Sequence, residues 1–420
     1  MKSLCSKRLS ALAFGALLGC LGFLSTASAT HTPNIDTDAP VVKLLKSCTE
    51  SGATLKNCFD TVTSLNSWIN ATRKPDSTKP LLVEIGPGKF TDAGLICDTV
   101  SNITYRGSGQ EQTKISQPIG FAGFDSIRGC TNIAVKSLTL EGYWGVQWKG
   151  TGSSSWTNVT ARGIIYGWFD YACPGFAGGN HYWFSSRIIA DGIDLPSNFA
   201  KGYGINCGQS WFFGSEILAI GNNPTMGLYV NNGEAHVYGS VIRAIAKPGA
   251  TFPVPSISTH PQEEGDGLYA ALSANNAKLH IHGTGIDVIS TNSHEIAALM
   301  ASTGGEIHAN GAAYSLETGG NKKIHRLINN TTIPGHIHAP YMWEPHTTPP
   351  VNAGSTTNYP GNTLVSLDGA DMAVETDCTS TGCPTTNPGI ETHLLIYNSK
   401  CTGPGGTWFD VVTKACRTIN

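Results

Sequence analysis

Gly204-Ile205-Asn206-Cys207, followed by Trp211-Phe212-Phe213-Gly214-Ser215 and Ile217-Leu218-Ala219, is the stretch that decides the fold. The pattern returns as Gly227-Leu228-Tyr229-Val230, His236-Val237-Tyr238-Gly239-Ser240 and Ile242-Arg243-Ala244. It returns again as Gly267-Leu268-Tyr269-Ala270, His280-Ile281-His282-Gly283 and Ile286-Asp287-Val288. A further turn runs through 296–299, Ile307-His308-Ala309 and Tyr314-Ser315-Leu316, and earlier ones begin at Gly145 and Gly167. Each unit holds three short segments that alternate at a period of two, separated by Gly, Asn and Ser, which is the pattern of strands and turns. The tightest repeats are 22 residues (Gly145 to Gly167) and 23 residues (Gly204 to Gly227). Three strands per repeat around a small apolar interior predict a parallel β-helix, an all-β solenoid of three sheets in which each coil buries its face only against its neighbours.

A solenoid needs its ends covered. In 54–73, Phe59, Val62, Leu65 and Ile69 recur at helical spacing, which predicts an N-terminal helix over the first coil. The Pro-, Thr- and Gly-rich stretch 345–361 reads as the exit from the coil, and a small disulfide-bearing tail with strands at 394–397 and 408–412 follows. The chain thus divides into a signal peptide at 1–29, a cap with helix at 30–79, the β-helix at 80–344, and a linker with Cys-containing tail at 345–420.

Residues 85–90 (Ile-Gly-Pro-Gly-Lys-Phe), Asn102-Ile103-Thr104-Tyr105-Arg106-Gly107-Ser108-Gly109, Thr113-Lys114-Ile115 and the run 132–142 resemble the opening coils of pectinesterases and other pectin-lyase-like proteins. The resemblance implies a right-handed β-helix. It carries no chemistry across: the Asp-Phe-Ile-Phe-Gly and Gly-Arg-Pro-Trp motifs of pectinesterases are missing, as are the polygalacturonase motifs and a pectate-lyase calcium set.

Composition narrows the class. Only 14% of the 420 residues are charged, against roughly 25% in an average soluble protein, while 40% are apolar, which argues against disorder. A formal net charge of −3 gives no electrostatic footprint for nucleic acid. Lys2, Lys7 and Arg8, an apolar run at 11–24 and Ala27-Ser28-Ala29 have the form of a cleaved signal peptide, which predicts a secreted or periplasmic protein. Leu17-Leu18-Gly19-Cys20 offers a competing lipoprotein reading, with Cys20 acylated. No later stretch is long and apolar enough for a membrane span. Of 12 Cys, Cys5 and Cys20 fall in the leader, and the rest read as disulfides of an exported chain. The short-range pairs expected are Cys48–Cys58, Cys378–Cys383 and Cys401–Cys416, with Cys97, Cys130, Cys173 and Cys207 pairing between neighbouring turns.

Aligning the coils on Ser185, Gly214, Gly239, Gly283 and Gly311 yields two outward columns. One holds Tyr182, Trp211, His236, His280, His308 and His338; the other holds Phe184, Phe213, Tyr238, His282 and Asn310. Val237, Ile281 and Ala309, between them, face the core by strand alternation. Neutral imidazoles stacked at the coil repeat of about 4.8 Å make His236, His280, His308 and His338 candidate ligands of zinc or copper. Tyr182, Phe184, Trp211, Phe213 and Tyr238 are candidates for stacking on pyranose rings. Two insertions leave the same turn, at 190–204 and 246–266. The first carries Asp191, Asp194 and Lys201; the second carries His260, Glu263, Glu264 and Asp266, candidate acid–base groups for glycosidic cleavage. Arg243 and Asp287 share an outward column as a cross-strand ion pair.

The first functional expectation is an exported β-helix that binds extracellular or envelope polysaccharide, with cleavage left open. The alternatives are a metal-binding envelope protein using the His ladder and a structural or adhesive surface protein.

Overall fold

The computed structural model describes residues 39–50, 53–73, 78–118, 120–126, 129–170, 178–192, 199–250, 268–290, 296–301, 305–310, 312–318, 324–329, 336–338, 342–343, 364–367, 370–373, 407–410 and 415–418, with side chains as far as Ala312. All belong to one compact unit, Asn34–Asn420. The repeat is a coil of three parallel strands. The first sheet stacks Val41–Leu44, Leu81–Ile85, Ser101–Arg106, the starts of Thr131–Trp148 and Ser153–Asp170, and then Asn180–Phe184, Gly208–Phe213, Gly233–Tyr238, Lys278–His282, Glu306–Asn310 and His336–His338. The second stacks Gly88–Phe90, Thr113–Ser116, Arg187–Asp191, Val241–Ala246, Gly285–Ser290 and Ala312–Thr318 together with the middles of the long strands. The third stacks Leu95–Cys97, Ala122–Ser126, Phe199–Ile205, Leu268–Ala274, Ile296–Ala301 and Ile324–Asn329 with the ends of the long strands. Every pairing between successive coils is parallel, so the expected parallel β-helix is present.

The register has a local cause. The residue that ends the first-sheet strand is left-handed in six successive coils: Ser137 (φ 54°), Asn158 (55°), Ser185 (47°), Gly214 (55°), Gly239 (54°) and Gly283 (54°). Gly, Asn and Ser tolerate that conformation where bulkier residues do not, and nothing lies within 4 Å of a Cβ at Gly214, Gly239 or Gly283. Each coil therefore turns at the same place, and side-chain columns stay aligned.

Inside, the alternation buries Val237, Ile281 and Ala309 completely. The earlier coils are filled by rings. Trp156 stacks on Trp183 at 4.9 Å, Trp148 on Trp168 at 5.8 Å and Trp168 on Tyr203 at 5.3 Å. Edge-to-face contacts join the columns, Trp156 to Trp168 at 5.4 Å and Trp168 to Trp183 at 5.3 Å. Among them sits a fully buried imidazole. His181 Nδ1 is 2.7 Å from the Ser154 hydroxyl, which also accepts from Trp156 Nε1. Burial holds the His181 pKa down to about 3, so the ring is neutral.

The cap forms, with different bounds. The helix is Val62–Thr72, because the Thr61 side chain accepts from the backbone N–H of Ser64 and starts it there. Phe59 lies instead in a short strand, Cys58–Phe59, paired with Val41–Leu44. Asn66 explains how the helix seals the coil. Its amide donates to the Gly94 carbonyl (2.8 Å) and its oxygen accepts from Ile96 N–H (3.1 Å), so one side chain satisfies the open edge of Leu95–Cys97. Parallel pairing already begins at Val41–Leu44, earlier than the repeat is recognisable, and the first sheet extends through Leu364–Leu367. Cys48 is bonded to Cys58 and Cys97 to Cys130, and Cys207 is also in a disulfide. The expected Cys378–Cys383 pair, Cys173, Cys401 and the strand at 394–397 lie outside the described residues, and of Cys416 only the backbone is described. Thr407–Asp410 pairs antiparallel with Ala415–Thr418. Among the described residues, no helix is long and apolar enough to cross a membrane.

Candidate functional site

The outer face of the first sheet carries both columns in register. Tyr182, Trp211, His236, His280, His308 and His338 are successive Cα partners, and so are Phe184, Phe213, Tyr238, His282 and Asn310. The rings lie face to face. Along the first column the centroids are 4.7, 5.5, 4.6 and 4.9 Å apart from Tyr182 to His308, with planes within 11°. Along the second they are 5.1, 5.2 and 5.1 Å apart from Phe184 to His282. Stacking turns each interior ring edge-on to solvent. The flat faces of Trp211, Phe213 and Tyr238 are occupied by neighbours. The rows begin at Tyr182 and Phe184, whose register neighbours one coil earlier are Ser155 and Thr157. Those two rings therefore each keep a face without an aromatic partner, and Phe184 is 38% exposed.

The imidazole half has a carboxylate that the column pattern did not single out. Glu234 lies two residues before His236 on the same face. Its Oε1 is 3.0 Å from His236 Nε2 and 3.3 Å from His280 Nε2. Its other oxygen accepts from Gln209 Nε2 at 2.7 Å. The three ligand atoms of Glu234, His236 and His280 lie within 4.8 Å of one another. His308 turns to a different carboxylate, Glu306 Oε2, at 3.6 Å. Partial burial lowers the His280 pKa, the neighbouring His236 and His308 lower it further, and Glu234 opposes them. Neutral imidazole is the form that ligates metal. The sequence signal for Glu234 was a two-residue step, Glu-x-His, repeated as Glu306-x-His308.

His338 continues the register of His308, and its side chain lies outside the described residues. His260, Glu263, Glu264 and Asp266 also lie outside them, as does Asp194. Of the first insertion, Asp191 ends a second-sheet strand and pairs with Arg162 in a shallow cleft that includes Gln117 and Glu141. Lys201 is a strand residue with no exposed surface, its ammonium 4.2 Å from the Tyr229 ring centroid. The Arg243–Asp287 ion pair forms at 2.8 Å, and Arg243 also reaches Glu216 at 3.0 Å.

No protein-family model matches the chain, and no curated protein matches it in sequence. Solved structures that align with it include the pectate lyase Pel9A, at 12% identity and TM-score 0.41, over 78% of this chain and 83% of that one. The Azotobacter vinelandii mannuronan C-5 epimerase AlgE6 A-module aligns at 12% identity and TM-score 0.30, over 69% and 92%. ORF18 of Geobacillus virus E2 aligns at 12% identity and TM-score 0.34, over 72% and 62%. The fold assignment rests on the strand register itself.

Proposed function

We propose that this chain is an exported β-helix that binds polysaccharide along the outer face of its first sheet. The observation that carries the reading is the pair of open ring faces at Tyr182 and Phe184. A pyranose presents an apolar C–H face of ring size, and an aromatic face with its negative quadrupole receives it. The coils before these rings place Ala134 and Ser155 in the Tyr182 column, and Lys136 and Thr157 in the Phe184 column. A sugar stacked on Tyr182 lies over a low floor and continues the ladder by one step. Asn132 and Asn180 flank it on one side, and Lys136 and Arg106 continue the Phe184 column beyond Thr157. This moves the contact from the middle of the stripe, at Trp211 and Phe213, to its beginning.

Retention of the purified protein on a panel of insoluble neutral and acidic polysaccharides tests the reading. A retained polymer should be released by Tyr182→Ala with Phe184→Ala, whereas unchanged retention in that double variant sinks it. Release of reducing ends or unsaturated uronides would add catalysis, with His260, Glu263, Glu264 and Asp266 the first residues to replace. Export is checked by the mature N-terminus, expected at Thr30; a lipid-modified Cys20 would establish the lipoprotein route instead.

A further inference from the structure

We propose that Glu234, His236 and His280 form a site for a divalent first-row transition metal ion, of which zinc is the probe. The inference is independent of polysaccharide binding, since it uses later coils of the ladder and different atoms. Two ligands each about 2.1 Å from an ion at the tetrahedral angle stand about 3.4 Å apart. The observed separations of Glu234 Oε1 from the two imidazole nitrogens, 3.0 and 3.3 Å, are already of that size. Two nitrogens and one carboxylate oxygen are a donor set suited to zinc, copper or nickel rather than to calcium or magnesium, and three protein ligands leave a position for water.

The surroundings hold the ligands in place. Gln209 binds the carboxylate oxygen that faces away from the imidazoles, which orients Glu234. The Tyr238 hydroxyl lies 3.5 Å from His236 Nδ1, on the side of the ring opposite Nε2. Trp211 and His308 stack on the outer faces of the His236–His280 pair and fix both ring planes. The nearest cation along the Glu234 column, Lys278, reaches the other carboxylate, Glu306, at 3.8 Å. The ladder thus divides into a three-ligand cluster around Glu234 and a separate His308–Glu306 pair.

Titration of Zn²⁺ into the purified chain, stripped by chelator and carrying no polyhistidine tag, tests the assignment by calorimetry. Saturable uptake by the wild type is expected, weakened about ten-fold or more in E234Q and in H280Q, and changed less than about three-fold in H308Q. Co²⁺ should give visible absorption bands in the wild type that both E234Q and H280Q lose. Matching metal-free thermal unfolding curves verify that the variants are folded. Absence of saturable uptake by the wild type, or wild-type affinity in either E234Q or H280Q, overturns the site. A loss in H308Q as large as in H280Q overturns the three-residue assignment. Polysaccharide retention should be the same with and without zinc, which keeps this result separate from the carbohydrate reading.

Discussion

Coils 182–213 and coils 236–308 present the same outward positions in the same register, yet one half of the ladder is tyrosine, tryptophan and phenylalanine and the other is mainly imidazole. The backbone imposes the same stacking on both, because parallel coils repeat at the spacing of aromatic rings. Stacking hides ring faces and shows ring rims. The rim of a phenylalanine is a row of C–H bonds and offers little to a ligand. The rim of a histidine carries two nitrogens, so the same geometry makes a row of donors. The phenylalanines are therefore useful only at the open end of the ladder, while the imidazoles are useful along its length.

The sharpest way to break this contrast lies beneath it. The aromatic half stands on Trp183 and Phe212, the imidazole half on the smaller Val237, Ile281 and Ala309. Trp183→Ala removes a fully buried ring, and its expected cost is about 3–5 kcal/mol. Ile281→Ala, the same truncation under the imidazoles, should cost about 2–5 kcal/mol. Urea unfolding of the two variants measures both, and equal losses would mean the halves are not supported differently.

Acid comes next. His181 has a depressed folded-state pKa, about 3 against an ordinary 6.5, so the unfolded chain binds the proton first. Stability is complete above pH 6.5 and is lost as pH falls from there toward 3. At pH 5 this one group should cost about 2 kcal/mol, and His181→Leu should flatten that part of the stability profile. A profile unchanged by the replacement would mean that His181 is not the neutral, buried group described.

Smaller effects separate the surfaces. Phe184→Ala alone should weaken retention of a bound polymer about ten-fold, a loss of about 1.4 kcal/mol, while His280→Gln leaves retention unchanged. For folding, His280→Gln should shift stability by less than about 0.5 kcal/mol, as surface replacements do. A larger drop in the thermal midpoint would mean that the imidazole stack holds the coils together.

The two columns are legible in the sequence because two regularities coincide. Strand alternation sets which residues point outward, and the left-handed residue at each corner sets where the count restarts. Gly214, Gly239 and Gly283 advertise that corner; Ser137 and Asn158 occupy it too, less conspicuously. Glu234 is less legible because its column, Gln209, Glu234, Lys278, Glu306, alternates in charge and residue type. Its meaning depends on which neighbouring nitrogens one carboxylate oxygen meets, and alternation does not specify a rotamer. Ring orientation is missing from the pattern for the same reason. The sequence shows that Trp211 and Phe213 point outward, but not that their faces are spent on one another. Asn66 belongs with these cases, since a polar residue on the buried side of a helix reads as a flaw until the open strand edge it satisfies is seen.

The interior tryptophans have an optical consequence. Trp156 and Trp183 are nearly parallel at 4.9 Å, and Trp148 and Trp168 at 5.8 Å. Indoles that close and that rigid share excitation, so their near-ultraviolet transitions split into a signed pair in circular dichroism, and light absorbed by one is emitted by another. Among the described residues, that signal belongs only to the coils between 148 and 183. Its disappearance would report the opening of that segment while the rest of the solenoid is still wound, giving the molecule a native gauge of which coil lets go first.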